Sequence, residues 1–331
     1  MEHKSKIIQI PERILMQLKR AQYGVYHHST VELCHWTKKS LKDEADCYKK
    51  IFYGIDTHRC VEFSPAGMMC HMKCIFCWRP MEFMKKIYMN EDEVDEPKDL
   101  MNGILQERRR LLSGYPGNPK VNMLKYREAI NPNHYAISLS GEPTLYPKLP
   151  QLIKYIKEEL KARSIFLVTN GVEPNMLKRL IKEDALPTQL YLSMNAPNKE
   201  LFIKINRPLI KDAWERWLES LNLLSKMNTR TVIRMTLIKD FNTDPKYMSE
   251  YAELIETGNP HFVEIKSYMH VGYSTRRLKK ENMLYHNEVR EYVKQLIRYL
   301  DGKFAFMDEH PPSRIVVIQN TERYINRWIP K

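Results

Sequence analysis

Six cysteines fall into two trios along 331 residues. Cys70, Cys74 and Cys77 lie in the run CHMKCIFC, a C-x3-C-x2-C spacing. Cys34, Cys47 and Cys60 precede them, each separated from the next by twelve residues. A four-iron cluster held wholly by protein takes one thiolate on each iron. Three cysteines on one short loop cover three irons and leave the fourth open to another ligand. The upstream trio could do the same for a second cluster.

For the tight trio, the ligand of the open iron is usually S-adenosylmethionine (SAM), chelating through its amino and carboxylate groups. An electron from the cluster then cleaves the sulfonium to a 5′-deoxyadenosyl radical. Zinc and buried free thiols are the alternatives. Structural zinc takes four ligands, usually as C-x2-C or H-x3-H pairs. His58 and His71 keep zinc open by count, but the paired form is missing. Phe76, just ahead of the last cysteine, favours the cluster. Read alone, Cys34, Cys47 and Cys60 resemble buried hydrophobes more than ligands. Two facts count the other way: no cysteine is left over, and all three lie immediately upstream. Cys60 is ten residues before Cys70, so two clusters could share one cavity.

The elements that must position these residues follow from periodicity. A short amphipathic helix is expected after Pro11, with Ile14, Leu15 and Leu18 on one face. Residues 30–55 read as irregular. A strand is expected at Cys60–Phe63 and a helix from Pro97 to about Ser113. YAISLS (135–140), SIFLVT (164–169), QLYLSMN (189–195), TVIRMTLI (231–238) and FVEIKSY (262–268) read as strands. Helical periods separate them, at 149–160 and over about 212–227. This alternation predicts an α/β fold with parallel strands and helices outside. Glu142, Asn170, Asn195 and Asn242 fall just beyond strand ends, the rim where a parallel barrel builds its site. Gly141, Glu142 and Pro143 follow a strand directly, where glycine permits close approach and a carboxylate can accept from an ammonium. No Rossmann fingerprint, P-loop, internal repeat or low-complexity tract is present.

Composition sets outer limits. Hydrophobic content of 43% and charged content of 28% fit a globular core. No stretch has the apolar length of a membrane span, and the N-terminus has no signal-peptide pattern. A cytoplasmic protein is expected, with reduced thiols. The net charge of +13 suits either a polyanionic partner or a lysine-rich surface. Aromatics among the basic residues of the second half suit RNA. Trp214 and Trp217, three apart in a helical stretch, read as core instead.

The runs RCVEFSPAGMMCHMKCIFCWRP, SLSGEPTLYP, LVTNGVEP, LYLSMNAPN, INRPL, RMTLIKDFN, EIKSYMHVGYS and EHPPSRIVVI resemble the radical SAM family of archaeal-type tRNA 4-demethylwyosine synthases. The resemblance runs from about Ser29 to Val317. It implies a partial (β/α)6 radical SAM barrel over 59–331, with an N-terminal extension over 1–58 that carries the auxiliary-cluster cysteines. It implies two [4Fe–4S] clusters, SAM on Cys70, Cys74 and Cys77, and an auxiliary cluster on Cys34, Cys47 and Cys60. It further implies condensation of pyruvate with N1-methylguanosine-37 in the anticodon loop of tRNA-Phe, by a carbon–carbon lyase.

Lys49, two residues after the middle auxiliary cysteine, corresponds to the family's Schiff-base lysine, with Lys50 adjacent. An amine attacks a ketone only when neutral. Lys49 could instead pair with the carboxylate of iron-bound pyruvate. For SAM, Glu142 with the Gly141–Pro143 backbone is expected near the amino group. Asn170, Ser193 and Asn195 are expected at the ribose and carboxylate. Asn195 stands where the family commonly has aspartate. The chain carries no flavodoxin-like domain, so an external donor of ferredoxin or flavodoxin type is expected, and no membrane partner. Rival readings are another RNA-modifying radical SAM enzyme, such as a methylthio- or methyltransferase, and a non-catalytic zinc RNA-binding protein.

Overall fold

Parallel strands buried on both faces read as apolar runs, and six such runs form the centre of the molecule. In a computed structural model, residues 7–80, 82 and 86–330 are described. The central strands are β3 (Cys60–Ser64), β4 (His134–Ile137), β5 (Ser164–Thr169), β6 (Gln189–Met194), β7 (Arg230–Leu237) and β8 (Phe262–Ser267). They pair side by side in chain order, all parallel. The hairpin β1 (Tyr23–Tyr26) and β2 (Ser29–Glu32) adds antiparallel to β3. At the far side, β10 (Ile315–Asn320) pairs antiparallel with β8, and β9 (Phe304–His310) with β10. The order β1-β2-β3-β4-β5-β6-β7-β8-β10-β9 leaves the sheet unclosed, a partial (β/α)6 barrel.

Helices cover the outer face: α4 (Pro97–Leu112), α6 (Leu149–Glu158), α7 (Pro174–Lys182), α8 (Lys199–Asn206), α9 (Ala213–Leu224), α10 (Met248–Gly258) and α11 (His286–Tyr299). Their apolar stripes share one core with the outward side chains of the strands, among them Leu167, Leu192, Ile233 and Ile265. Trp217 is buried there and stacks on Trp214 at 5.2 Å, as the spacing predicted. The first helix, α1 (Glu12–Arg20), buries Ile14 and Leu18 beside Met68 and Leu139. Among the described residues, no helix is long and apolar enough to cross a membrane.

Residues 30–55 are more ordered than the irregular reading of the sequence. They hold β2 and two short helices, α2 (His35–Ser40) and α3 (Tyr48–Tyr53). A third short helix, α5 (Met123–Ile130), is capped by the Asn122 side chain, which accepts from Leu124 N–H and Lys125 N–H. At six residues, α2 and α3 are too short to show a period or to persist alone. They exist because they pack. Tyr48, Phe52 and Tyr53 of α3 share a buried cluster with the inward side chains Ala136, Phe166, Tyr191, Val232 and Phe262. This helix floors the barrel. Gly54 ends it in the left-handed region at φ +75°.

The loop carrying Cys70, Cys74 and Cys77 has little regular structure and is held from outside. Lys73 N–H donates to Asn206 O at 3.0 Å and Ile75 N–H to Ile205 O at 2.9 Å. Leu209 N–H donates to His71 O at 2.7 Å. The Arg277 guanidinium donates to the carbonyls of Ile75 and Cys77. On the other side, Glu142 N–H donates to Met69 O at 2.7 Å. Gly141, at φ +72°, approaches so closely that an added Cβ would lie 1.9 Å from Ala66 O and 2.6 Å from Met69 O. Two backbones meet there with no room for a methyl group.

Two consequences can be measured. Gly141→Ala is expected to lose at least about 2 kcal/mol of stability and to retain less iron at the tight trio. Unfolding by urea at the wild-type midpoint would contradict this. Buried His261 accepts from Thr231 N–H at Nδ1, 3.1 Å away. Burial, then Arg323 and Arg230, push it down to about 4. An unfolded chain takes the proton near pH 6.5, whereas the folded chain refuses it until about pH 4. Stability from this group is therefore present above about pH 6.5 and lost as pH falls to about 4. His261→Asn keeps an acceptor without titrating, so the wild type should lose ground to it over that window. A constant stability difference would show that the ring does not titrate there.

Candidate active site

Strand side chains alternate between faces, so inward positions recur every second residue. Two residues beyond the aromatic floor, β4, β5, β6 and β7 present Ser138, Val168, Ser193 and Arg234 to the lumen. One further step brings Ser140, Asn170, Asn195 and Thr236, with Lys266 from β8. From β3 come Cys60 and Glu62. Together they line a cavity of about 1090 Å³. All six cysteines, Lys49, Phe76, Gly141 and Glu142 line it as well. Of the residues expected from sequence to hold SAM, Pro143 does not: it is buried at the start of a short 3-10 turn, Pro143–Leu145.

The upstream cysteines are brought together by a threonine relay. Cys34 and Cys47 are the N-caps of α2 and α3, and Cys60 opens β3. Cys34 Sγ is 3.3 Å from Thr37 Oγ1, which donates to Thr57 O at 3.3 Å. Thr57 Oγ1 accepts from Cys47 N–H at 3.1 Å. Buried Arg108 donates to the carbonyls of His58 and Cys60, tying α4 to this corner. At the other end, Cys70 Sγ accepts from Met72 N–H at 3.4 Å and lies 3.7 Å from Asn170 Nδ2. Asn206 Oδ1 lies 3.7 Å from Cys74 Sγ and accepts from Asn195 Nδ2 at 3.2 Å.

Burial pushes every one of these thiols up, Cys47 and Cys70 to about 12 and Cys60 to about 11. Such thiols ionise when a metal takes them. Among the described residues, no three histidine, cysteine or carboxylate side chains converge tightly enough for a single ion. The ligands of a cubane each take a separate iron and need not converge on one point.

Glu142 is only 2% exposed, and its carboxylate is largely occupied. Oε1 accepts from Thr144 N–H, Thr144 Oγ1 and Thr169 Oγ1 at 3.1, 2.6 and 2.7 Å. Oε2 accepts from Asn170 N–H at 2.7 Å and retains one acceptor site. Asn242, expected at the rim, is a clamp: it donates to Asn195 O and Thr236 O and accepts from Ile238 N–H.

Lys49 lies with its ammonium 4.4 Å from the Phe166 ring centroid and 5.3 Å from that of Tyr191. Lys50 points elsewhere, to Asp46 at 2.5 Å. Three polar groups of the lumen escaped the sequence reading: Glu62, Arg234 and Lys266. Burial first, then Arg234, pushes Lys266 down to about 7. Their signal was available as parity, since each charge sits an even number of residues from an inward position of its own strand.

Residues 65–252 match the radical SAM superfamily and residues 257–320 match wyosine base formation. The S-adenosyl-L-methionine-dependent tRNA 4-demethylwyosine synthase of Pyrococcus horikoshii is 44% identical, over 95% of this chain and 90% of its own. That of Methanocaldococcus jannaschii is 39% identical, over 96% of this chain and 99% of its own. A solved structure of TYW1 with a lysine–pyruvate adduct bound superposes with a TM-score of 0.86 at 37% identity, covering 97% of this chain and 99% of that one. The chain therefore belongs to the radical SAM family of S-adenosyl-L-methionine-dependent tRNA 4-demethylwyosine synthases.

Proposed function

We propose that this synthase condenses pyruvate with N1-methylguanosine-37 of tRNA-Phe in a lumen shared by two [4Fe–4S] clusters. Its family brings SAM and one such cluster; the second cluster, pyruvate and the electron donor are our reading. One observation carries it: Lys49 and both cysteine trios line the same cavity.

In this reading Cys70, Cys74 and Cys77 hold the SAM cluster, and Cys34, Cys47 and Cys60 the auxiliary one. SAM held there would supply, on receiving one electron, a 5′-deoxyadenosyl radical able to take hydrogen from the N1-methyl group, with methionine as the other product. The remaining acceptor site of Glu142 Oε2 takes the SAM ammonium, with Gly141 and Pro143 shaping the turn. Asn170, Ser193 and Asn195 bond its ribose and carboxylate, and Phe76 gives an apolar wall. Asparagine at 195 still donates and accepts, so the family's usual aspartate is not required for a hydroxyl contact.

Lys49 Nζ adds to C2 of pyruvate and water leaves; the solved structure of the relative has a lysine–pyruvate adduct bound. Phe166 and Tyr191 shield that amine from water. The target base leaves the anticodon stack to enter the lumen. The +13 charge attracts tRNA phosphates and makes binding salt-dependent. Electrons come from a separate ferredoxin or flavodoxin, in the reducing cytoplasm.

Reconstituted enzyme, SAM, pyruvate, reductant and methylated tRNA should give the tricyclic base by mass spectrometry. Deoxyadenosine without that base would point to another RNA-modifying radical enzyme. Anaerobic protein should hold about eight irons with labile sulfide, and Cys47→Ala about half. One zinc and no sulfide would indicate the non-catalytic reading. Lys49→Arg should still cleave SAM yet make no tricyclic base. Product at the wild-type rate in that variant would remove the imine and leave Lys49 a carboxylate partner.

A further inference from the structure

Three cations from three separate elements face the lumen: Lys49 on α3, Arg234 on β7 and Lys266 on β8. Among the described residues, none of the three makes an ion pair or a side-chain hydrogen bond. Lys49 rests on aromatic faces, and the Arg234 guanidinium carbon lies 5.9 Å over the Tyr48 ring. Two carboxylates share this region. Glu264 accepts from Tyr53 Oη at 2.7 Å through one oxygen and leaves the other buried without a partner. Glu62 faces the cavity, and burial pushes its carboxyl up. Three cations against two acids leave one positive charge for a ligand to match. A buried charge of this kind is costly unless something pairs with it.

The three cations are not equivalent. Lys49 acts electrostatically on Cys47 and Cys60, and Cys47 acts on Lys266. Burial disfavours the charge on Arg234, and Tyr48, Glu264, Tyr191 and Glu62 together more than offset it. In register Arg234 sits between Ser193 of β6 and Glu264 of β8. It thus stands one strand from the wall assigned to SAM, with its guanidinium over the ring of Tyr48, the residue that follows Cys47. Its planar fork matches a carboxylate with two parallel hydrogen bonds, whereas an ammonium offers a point charge.

We propose that Arg234 binds the carboxylate of the 2-oxo acid while Lys49 faces its ketone carbon, with Lys266 as a second positive charge beside it. This rests on the reading of Lys49 as the pyruvate-bearing amine. A 2-oxo acid carries its carboxylate one bond from the ketone, so one residue must take the acid while another takes the carbonyl. The fork would set which face of C2 meets the incoming carbon radical. It would also reject neutral ketones and aldehydes of the same size.

The test compares pyruvate with pyruvamide, which replaces the carboxylate by a neutral amide of like shape. Reconstituted enzyme is treated with each ketone and cyanoborohydride, and the adduct is read by intact mass. KM for pyruvate is measured separately from tricyclic base formed. The wild type should prefer pyruvate. Arg234→Gln should weaken pyruvate about 10- to 100-fold, the loss expected for one charged hydrogen-bonded pair, and leave pyruvamide unchanged. Deoxyadenosine formation should persist. Arg234→Lys should recover part of the preference. Equal loss for both ketones, or no loss, overturns the proposal. If the glutamine variant does not hold its iron, Arg234→Lys alone decides, since an unchanged preference there overturns the fork. Should the wild type form no adduct while KM for pyruvate still rises selectively in the variant, the Lys49 reading fails and Arg234 stands.

Discussion

An open barrel of six strands has a lumen that water could enter from below, and α3 prevents it. Tyr48, Phe52 and Tyr53 meet Phe166, Tyr191 and Phe262 across the floor. Aromatic side chains of this size bury about 150–250 Å² each, so the contact contributes several kcal/mol beyond the cost of ordering so short a helix. The C-terminal segment braces it from beneath. Ile329 joins the same cluster, and Arg163 donates to Gly54 O, Ile329 O and Pro330 O. Because Cys47 caps α3 and Lys49 lies in its first turn, whatever seats the helix also seats those two side chains. The apolar floor and the polar chemistry above it are placed by one packing event.

Above that floor the electrostatics favour bound anions. The cysteine thiols are pushed up by burial, and three cations face the cavity without ion-pair partners among the described residues. Each condition is unfavourable alone. Ligated iron lets buried thiols ionise, and the nearby cations then oppose negative charge at close range. Lys266, held down to about 7 by burial and Arg234, responds most directly to such a change, since added negative charge favours its protonated form. The site is thus least comfortable empty, as expected of a pocket shaped for charged ligands.

Much of this was legible in the sequence. The tight trio, the GEP turn and the parallel strands were signalled by spacing and apolar runs that depend on local chain alone. The stretch 30–55 was not. Its helices are six residues long and gain their stability from a floor assembled out of distant strands. The β1–β2 hairpin turns through His27, at φ +48°, without the Asn-Gly pair that would announce it. Arg234 and Lys266 were overlooked for a different reason. Neither belongs to a recognisable motif, and only the alternation of β7 and β8 points them into the lumen. Pro143 erred in the opposite direction: its neighbours in the motif meet the cavity, and it supports the turn from behind.

Strand β3 fixes the scale of the site. Cys60 begins it, and the loop of Cys70, Cys74 and Cys77 follows soon after Ser64 ends it. Four steps of about 3.3 Å place the ends of the strand roughly 13 Å apart. Both trios line the one cavity, and Glu62 on the same strand faces it. The spacing is held because β3 pairs with β4 over Cys60–Phe63 and with β2 over Glu62–Ser64. A shift of one residue in its register would turn Glu62 outward and carry Cys60 away from the threonine relay. The offset between Cys60 and the loop of the tight trio is therefore set by backbone pairing, and the loops at either end only orient what that pairing has already placed.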